Sequence, residues 1–306
     1  MGGYVLRRLW HGFLVVFGVT AIVFVVTRLF GDPVALMLPL SASAEQRAAF
    51  AAEIGLDRPL VVQFAWFARD VLTLDFGMSL WQRRPAMEVV FERLPATLLL
   101  IGAALGTAML LAIPLGIAAA LRPGGLVDRL VVTLGLVGLS MPQFWLGLLL
   151  ILVFAVNLRI LPTSGSGTPA HLVLPALTLA LTPLARLTIM LRSALIEELA
   201  KPYVKTARAK GLSAGRVFGV HALRNVLVGF LTLAGWELIV ILAGYTVVVE
   251  TVFAWPGLGL TALQAIQRGD LFLMQAIVFT IAILIVVINI ALDVAFKLVD
   301  PRISLE

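Results

Sequence analysis

Six stretches of this chain each run for about 20 residues or more with almost no charge. They are Leu9–Leu29, Ala96–Leu121, Leu130–Leu158, Leu172–Leu191, Val226–Val249 and Leu271–Phe296. A helix rises about 1.5 Å per residue, so about 20 apolar residues cross the roughly 30 Å hydrocarbon core of a bilayer. One soluble core could not bury them. The chain has 306 residues, 61% hydrophobic and 13% charged, against about 45–50% and about 25% in soluble domains. The expectation is an all-α polytopic membrane protein with six transmembrane helices. Disorder, a disulfide scaffold and a secreted soluble enzyme are excluded. The third stretch is long enough to tilt, or to break near Pro142. Val26-Thr27-Arg28 shows no small-x-small cleavage pattern, so the first stretch reads as an uncleaved anchor.

Basic residues set the orientation. Arg7 and Arg8 precede the first span, and Arg122 and Arg129 lie between the second and third. Arg192, Lys201, Lys205, Arg208, Lys210, Arg216 and Arg224 lie between the fourth and fifth, and Lys297 and Arg302 follow the sixth. The opposite short loops hold only Arg159 and Arg268. Both termini are therefore expected in the cytoplasm. The net charge of +6 comes from dispersed residues, mostly Arg, and reads as topology, with lipid rather than nucleic acid as the partner. The chain divides into a first transmembrane helix (1–30), an extracytoplasmic segment (31–95) and a core of five spans (96–306) that includes a cytoplasmic loop, 201–224. Within the external segment, Ser43-Ala44-Glu45-Gln46 opens a helix ending near Gly55. Pro59 starts another, whose Val62, Phe64, Trp66 and Phe67 suit an interfacial position. Asp75-Phe76-Gly77-Met78-Ser79 reads as a turn. This segment either caps the span ends or touches a partner, through Asp75, Gly77 and Ser79.

Much chemistry is missing. No G-x-x-x-x-G-K-[ST] occurs, and none of the four Lys follows a Gly, so the phosphate cradle of an ATPase is not present. His11, His171 and His221 are too scattered to pair around a haem. Neither H-E-x-x-H nor a nucleophile elbow is found. The absence of Cys removes disulfides, thiol catalysis and Cys-based metal sites. No catalytic residue, metal site or cofactor is expected in this chain. Charge inside the spans is sparse. Glu237 either lines a polar pathway or bonds a neighbouring helix or subunit. Arg186 reads as snorkelling toward the cytoplasmic side and Asp293 as interfacial. Trp255-Pro256-Gly257, outside the fifth span, forms either a gate, a contact for an external protein or a tight turn. Gly138, Gly147 and Gly235 read as close helix-packing positions.

The loop between the fourth and fifth stretches is the most informative segment. Pro202 is placed to start a helix, Gly211 to end it and Ser213 to cap a second. The loop is basic yet carries Val204, Leu212, Val217, Phe218 and Leu223. Either it lies on headgroups or it docks a cytoplasmic protein.

Tyr203-Val204-Lys205-Thr206-Ala207-Arg208-Ala209-Lys210-Gly211-Leu212 resembles the coupling-loop signature of ABC importer permeases, in the dipeptide/oligopeptide/nickel branch. The resemblance continues through Gly31-Asp32-Pro33, Gly55-Leu56-Asp57-Arg58-Pro59-Leu60, Asp75–Ser79, Leu94–Leu98, Ser140–Gly147, Leu174–Leu177, Val249–Gly259 and Asp300-Pro301-Arg302. It is that of the first, B-type permease of a pair. Pro202 stands where the branch commonly has an acidic residue, Tyr245 where a Gly is frequent and Leu260 where a basic residue is usual. The resemblance implies a type I permease fold and a heterodimer with a paralogous permease. It also implies two cytoplasmic ATPase subunits that hold ATP and Mg, and an extracytoplasmic solute-binding protein. The protein would sit in a bacterial or archaeal cytoplasmic membrane as a non-catalytic subunit. The ATPases would dock on Tyr203–Leu212 and Phe218, and alternating access would carry di- or oligopeptides. Nickel chelates, glutathione and opine-type conjugates are the alternative cargoes. An autonomous ion-coupled carrier is the alternative of another class.

Overall fold

A computed structural model of the chain describes residues 2–29, 34, 38, 41–53 and 55–299. The Gly31-Asp32-Pro33 and Asp300-Pro301-Arg302 motifs lie outside the described residues, as do the side chains of Arg208 and His221. The described chain is mainly helical. It also has a two-stranded antiparallel hairpin, β1 (Met78–Ser79) and β2 (Arg84–Pro85), with Met78 opposite Pro85.

Four helical segments are long and apolar enough to cross a membrane: α4 (Ala86–Leu121), α7 (Pro169–Ala200), Arg224–Val252 and Leu271–Val294. The third expected span is instead a pair, α5 (Leu126–Ser140) and α6 (Gln143–Asn157), bent by 107°. The cause is local. Pro142 disfavours helical backbone at the residue before it, and Met141 is extended with φ −83° and ψ 128°. The first expected span lies in α1 (Gly2–Leu29), whose apolar stretch, Trp10–Val26, is shorter than the other four.

The chain forms two compact units, each built from separate parts of the sequence. The first comprises Met1–Thr97 and Pro256–Val287, the second Leu98–Trp255 and Ile288–Glu306. This division cuts across the three topological segments read from the sequence.

In the first unit, Ser43 and Gln46 close a reciprocal capping box at the start of α2 (Ala44–Glu53). The Gln46 N–H donates to Ser43 Oγ at 3.1 Å and the Ser43 N–H to Gln46 Oε1 at 2.9 Å. The helix ends at Gly55, φ +71°, with the Leu56 N–H bonded back to the Ala51 carbonyl at 2.8 Å. A Cβ on Gly55 would lie 2.6 Å from the Trp66 ring, so both conformation and space call for glycine. Helix α3 (Leu60–Thr73) turns its aromatic side inward: Phe24 of α1 meets Phe64 at 5.3 Å and Phe67 at 5.2 Å. Leu60, Val61 and Leu72 of the same helix stay exposed, as expected for a helix at a membrane interface. The core continues through Phe76, Val89, Val90, Leu258, Leu273 and Ile277.

The second unit is built around α7 (Pro169–Ala200). Among the described spans it has the largest buried share. It packs against the helix Leu126–Ser140 on one side and Arg224–Val240 on another. Glycines bring helices of this unit close together. Ideal Cβ atoms on Gly138 and Gly147 would lie 3.2 Å from Leu181 and from Phe253, and one on Gly235 would lie 2.6 Å from Leu292.

Candidate functional site

The loop after α7 forms a short helix, a glycine turn and a second helix. Helix α8 (Pro202–Ala209) begins at a proline, whose fixed φ suits the first helical turn. It ends as the sequence predicts: Gly211 has φ +78°, and the Leu212 N–H reaches back to the Ala207 carbonyl at 3.3 Å. Among the described residues, no atom beyond its chain neighbours lies within 4 Å of a Cβ placed on Gly211, so the requirement there is conformational. Chain direction then resets through Ser213, whose carbonyl accepts the Val217 N–H at 3.0 Å. A short helix, Ala214–Arg216, leads into a π-helical stretch, Val217–Leu223, and then into the span.

Burial sorts the loop residues into two sets. Val204 and Val217 are buried, while Ala207, Leu212 and Phe218 are half-buried. Tyr203, Lys205, Thr206, Ala209, Lys210 and Gly211 are exposed, as are Arg216 and Arg224. Apolar side chains thus anchor the loop, while Lys205, Lys210, Arg216 and Arg224 leave a basic surface free for an acidic partner.

A carboxylate that sequence reasoning passed over organises this loop. Glu198, in the last turn of α7 and 7% exposed, accepts from Lys201 Nζ at 2.5 Å, Tyr203 Oη at 2.6 Å and Asn225 Nδ2 at 3.0 Å. Three segments meet on one side chain: the end of the fourth span, the start of the loop helix and the start of the fifth span. Burial and the hydrogen bond to Glu198 both push the Tyr203 hydroxyl above its ordinary pKa. The bond to Glu198 likewise raises Lys201. The available sequence signal was weak: a Glu197-Glu198 pair followed closely by Lys201 and Tyr203.

Glu237 is fully buried, and its Oε1 accepts from Arg186 Nη1 at 3.0 Å. Arg186, expected to snorkel, turns to this carboxylate instead, because a buried charge is far costlier alone than paired. Nearer the loop, buried Asp128 receives Arg192 through both oxygens and the Gly124 N–H at 2.7 Å. That pair ties the 122–128 turn to α7.

The external candidates separate. Asp75 is exposed and its Oδ1 accepts the Gly77 N–H at 3.2 Å. Burial, and then the Asp75 charge, raise the pKa of neighbouring Asp70. Ser79 is fully buried. Its hydroxyl donates to Asp270 Oδ2 at 2.5 Å, and the same oxygen accepts the Trp81 N–H at 3.2 Å. Ser79 therefore positions the hairpin and presents no surface to a partner. Trp255 is 4% exposed, with its N–H on the Glu250 carbonyl at 2.9 Å. Gly257, also buried, precedes the helix Leu258–Gln267, and Pro256 between them is half-buried. In this geometry the segment is a turn that leads the chain into that helix.

The described chain is thus a polytopic helical core with a structured basic loop between its fourth and fifth spans. The chain belongs to the family of binding-protein-dependent transport system inner membrane components, whose pattern matches residues 112–305. It is thus an ABC importer permease. The dipeptide transport system permease protein DppB of Escherichia coli is 35% identical over 98% of each chain. The oligopeptide transport system permease protein AppB of Bacillus subtilis is 36% identical over 99% of this chain and 100% of that one. The glutathione transport system permease protein GsiC of Salmonella typhimurium is 37% identical over 99% of each. An inward-facing structure of the MetNI methionine ABC transporter superposes with a TM-score of 0.59 at 22% identity, covering 70% of this chain and 97% of that one. The type I permease fold follows.

Proposed function

We propose that this permease imports di- or oligopeptides as one half of a heterodimeric pathway, driven by two ATPase subunits docked on the Tyr203–Phe218 loop. The observation that carries the docking is the loop itself: a helix–glycine–helix element with a basic exposed side, held to both flanking spans by Glu198. Closure of ATP-bound subunits would move this loop, and Glu198 would pass the movement to the fourth and fifth spans. ATP and Mg would bind in the partner chains, and no catalytic group is assigned here. The paralogous permease and the extracytoplasmic binding protein complete the reading, with exposed Asp75 and half-buried Gly77 as contact candidates. Glu237 and the Trp255-Pro256-Gly257 turn are pathway or gate candidates.

Peptide cargo is supported by the dipeptide and oligopeptide transport systems to which the relatives belong. Glutathione, itself a tripeptide, is supported by a relative of the same coverage. The test is purification from the host in mild detergent, followed by reconstitution of the co-purifying complex. A second permease, ATPases and ATP-dependent uptake of peptide are expected. A homo-oligomer that transports without ATP would establish a carrier instead.

A further inference from the structure

Arg186 and Glu237 lie near the middles of two membrane-spanning helices, Pro169–Ala200 and Arg224–Val252. Their ion pair therefore lies within the membrane-spanning part of both helices, where ionisable groups are rare and usually face a pathway or a partner. The two sides of the pair differ. The Glu237 side chain is fully enclosed, whereas the Arg186 side chain is 39% exposed. Contact is through one nitrogen and one oxygen. Glu237 Oε2 is buried and has no hydrogen-bond partner among the described residues. Most of the guanidinium's donor fork is thus not used by Glu237. Tyr245 lies against the same guanidinium. It is brought there by a π-helical turn, Ile241–Tyr245, that begins one helical turn after Glu237. Such turns interrupt the regular ladder and recur at functional sites.

The exposed side of a guanidinium at this depth is costly against lipid and favourable against a carboxylate, which it can grip with two parallel N–H bonds. An uncompensated Arg in low dielectric would hold an anionic cargo too tightly to release it. A carboxylate behind it lowers the net field, and conduction needs binding weak enough to leave.

We propose that Arg186 is a contact site for the carboxylate of a peptide in transit, with Glu237 as the enclosed counter-charge that sets how firmly it is held. This rests on the peptide-import reading. It assigns the cargo contact to Arg186, and gives Glu237 an indirect, positioning role.

The test uses the complete transporter in proteoliposomes, with a radiolabelled dipeptide on saturating binding protein. Arg186→Gln should lower uptake about tenfold, the loss of one charge-assisted bidentate contact, while the complex assembles. Its ATPase stimulation by loaded binding protein should stay within about twofold of wild type. Arg186→Lys should recover part of the uptake, keeping the charge without the fork. The double variant Arg186→Gln/Glu237→Gln discriminates further. A purely structural pair is repaired when both charges go, whereas a cargo contact is not. Full uptake by the double variant, or by Arg186→Gln alone, overturns the proposal. So does loss of the second permease on purification of Arg186→Gln, which would make Arg186 a subunit contact. Failure of all three variants to assemble would make the pair structural and ends the proposal as well. If wild type carries none of the peptides offered, the cargo reading falls and takes this inference with it. If wild type carries them, only the inference is at stake.

Discussion

Single residues decide how the coupling loop is held. At Gly211, φ is +78° and no atom of the described residues beyond its chain neighbours would meet a Cβ, so substitution acts through the backbone alone. A side chain in left-handed conformation costs about 1–2 kcal/mol, less for Asn. Gly211→Val should therefore reduce ATP-driven uptake by about 5–30-fold if the turn must form for docking. Gly211→Asn should retain most of it, and both variants should insert normally. Equal uptake by the two would sever the turn from transport. Glu198 offers a second case. Glu198→Ala removes the three hydrogen bonds from Lys201, Tyr203 and Asn225, a loss of about 1–3 kcal/mol in the attachment of the loop. Faster proteolysis between Lys201 and Arg224 in the purified complex is the expected signature; an unchanged cleavage rate would mean the clamp is not holding the loop. The glycine was legible in the sequence because helix ends have a local grammar. The clamp was not. Its members span residues 198 to 225, and their meeting depends on the turn in between. For the same reason Arg186 was misread, since its partner lies 51 positions away.

At the scale of elements, apolar runs and punctuation carried most of the information. Ser43, Gln46 and Gly55 marked both ends of α2, and Pro142 marked the break. Hydropathy could not supply the 107° between the two halves, which depends on what each half packs against. Helix contact in the second unit depends on glycines that hydropathy also overlooks. Gly116 is one. A Cβ there would sit 3.1 Å from the Cβ of fully buried Leu191, on a side chain with no room to withdraw. Gly102, on the same helix, has nothing within 4 Å. Gly116→Val should destabilise the detergent-solubilised protein by about 1–3 kcal/mol through overpacking. Gly102→Val should be neutral or slightly stabilising, as glycine is among the weaker helix formers. Thermal unfolding of the two variants side by side checks the contrast. A matched fall in both would show that helix packing at Gly116 is looser than the structure has it.

For the whole molecule, the distribution of Lys and Arg makes a statement that no internal contact repeats: which loops stay in the cytoplasm. Seven basic residues between the fourth and fifth spans, against one each in the opposite short loops, oppose translocation of the Lys201–Arg224 loop. Docking of ATPases requires the same side, so topology and mechanism stand or fall together. The chain contains no Cys, which makes the check direct. Ser41, Ser166 and Ser213 are all exposed, and Ser→Cys changes little in size. In spheroplasts, a membrane-impermeant maleimide should label Ser41→Cys and Ser166→Cys at once. Ser213→Cys should react only after permeabilisation. Labelling of Ser213→Cys in intact spheroplasts would place the loop outside, away from ATP. The fold could survive that result, since helix packing is indifferent to which face meets the cytoplasm. The importer mechanism could not, because the loop proposed to receive an ATPase would then face the wrong compartment.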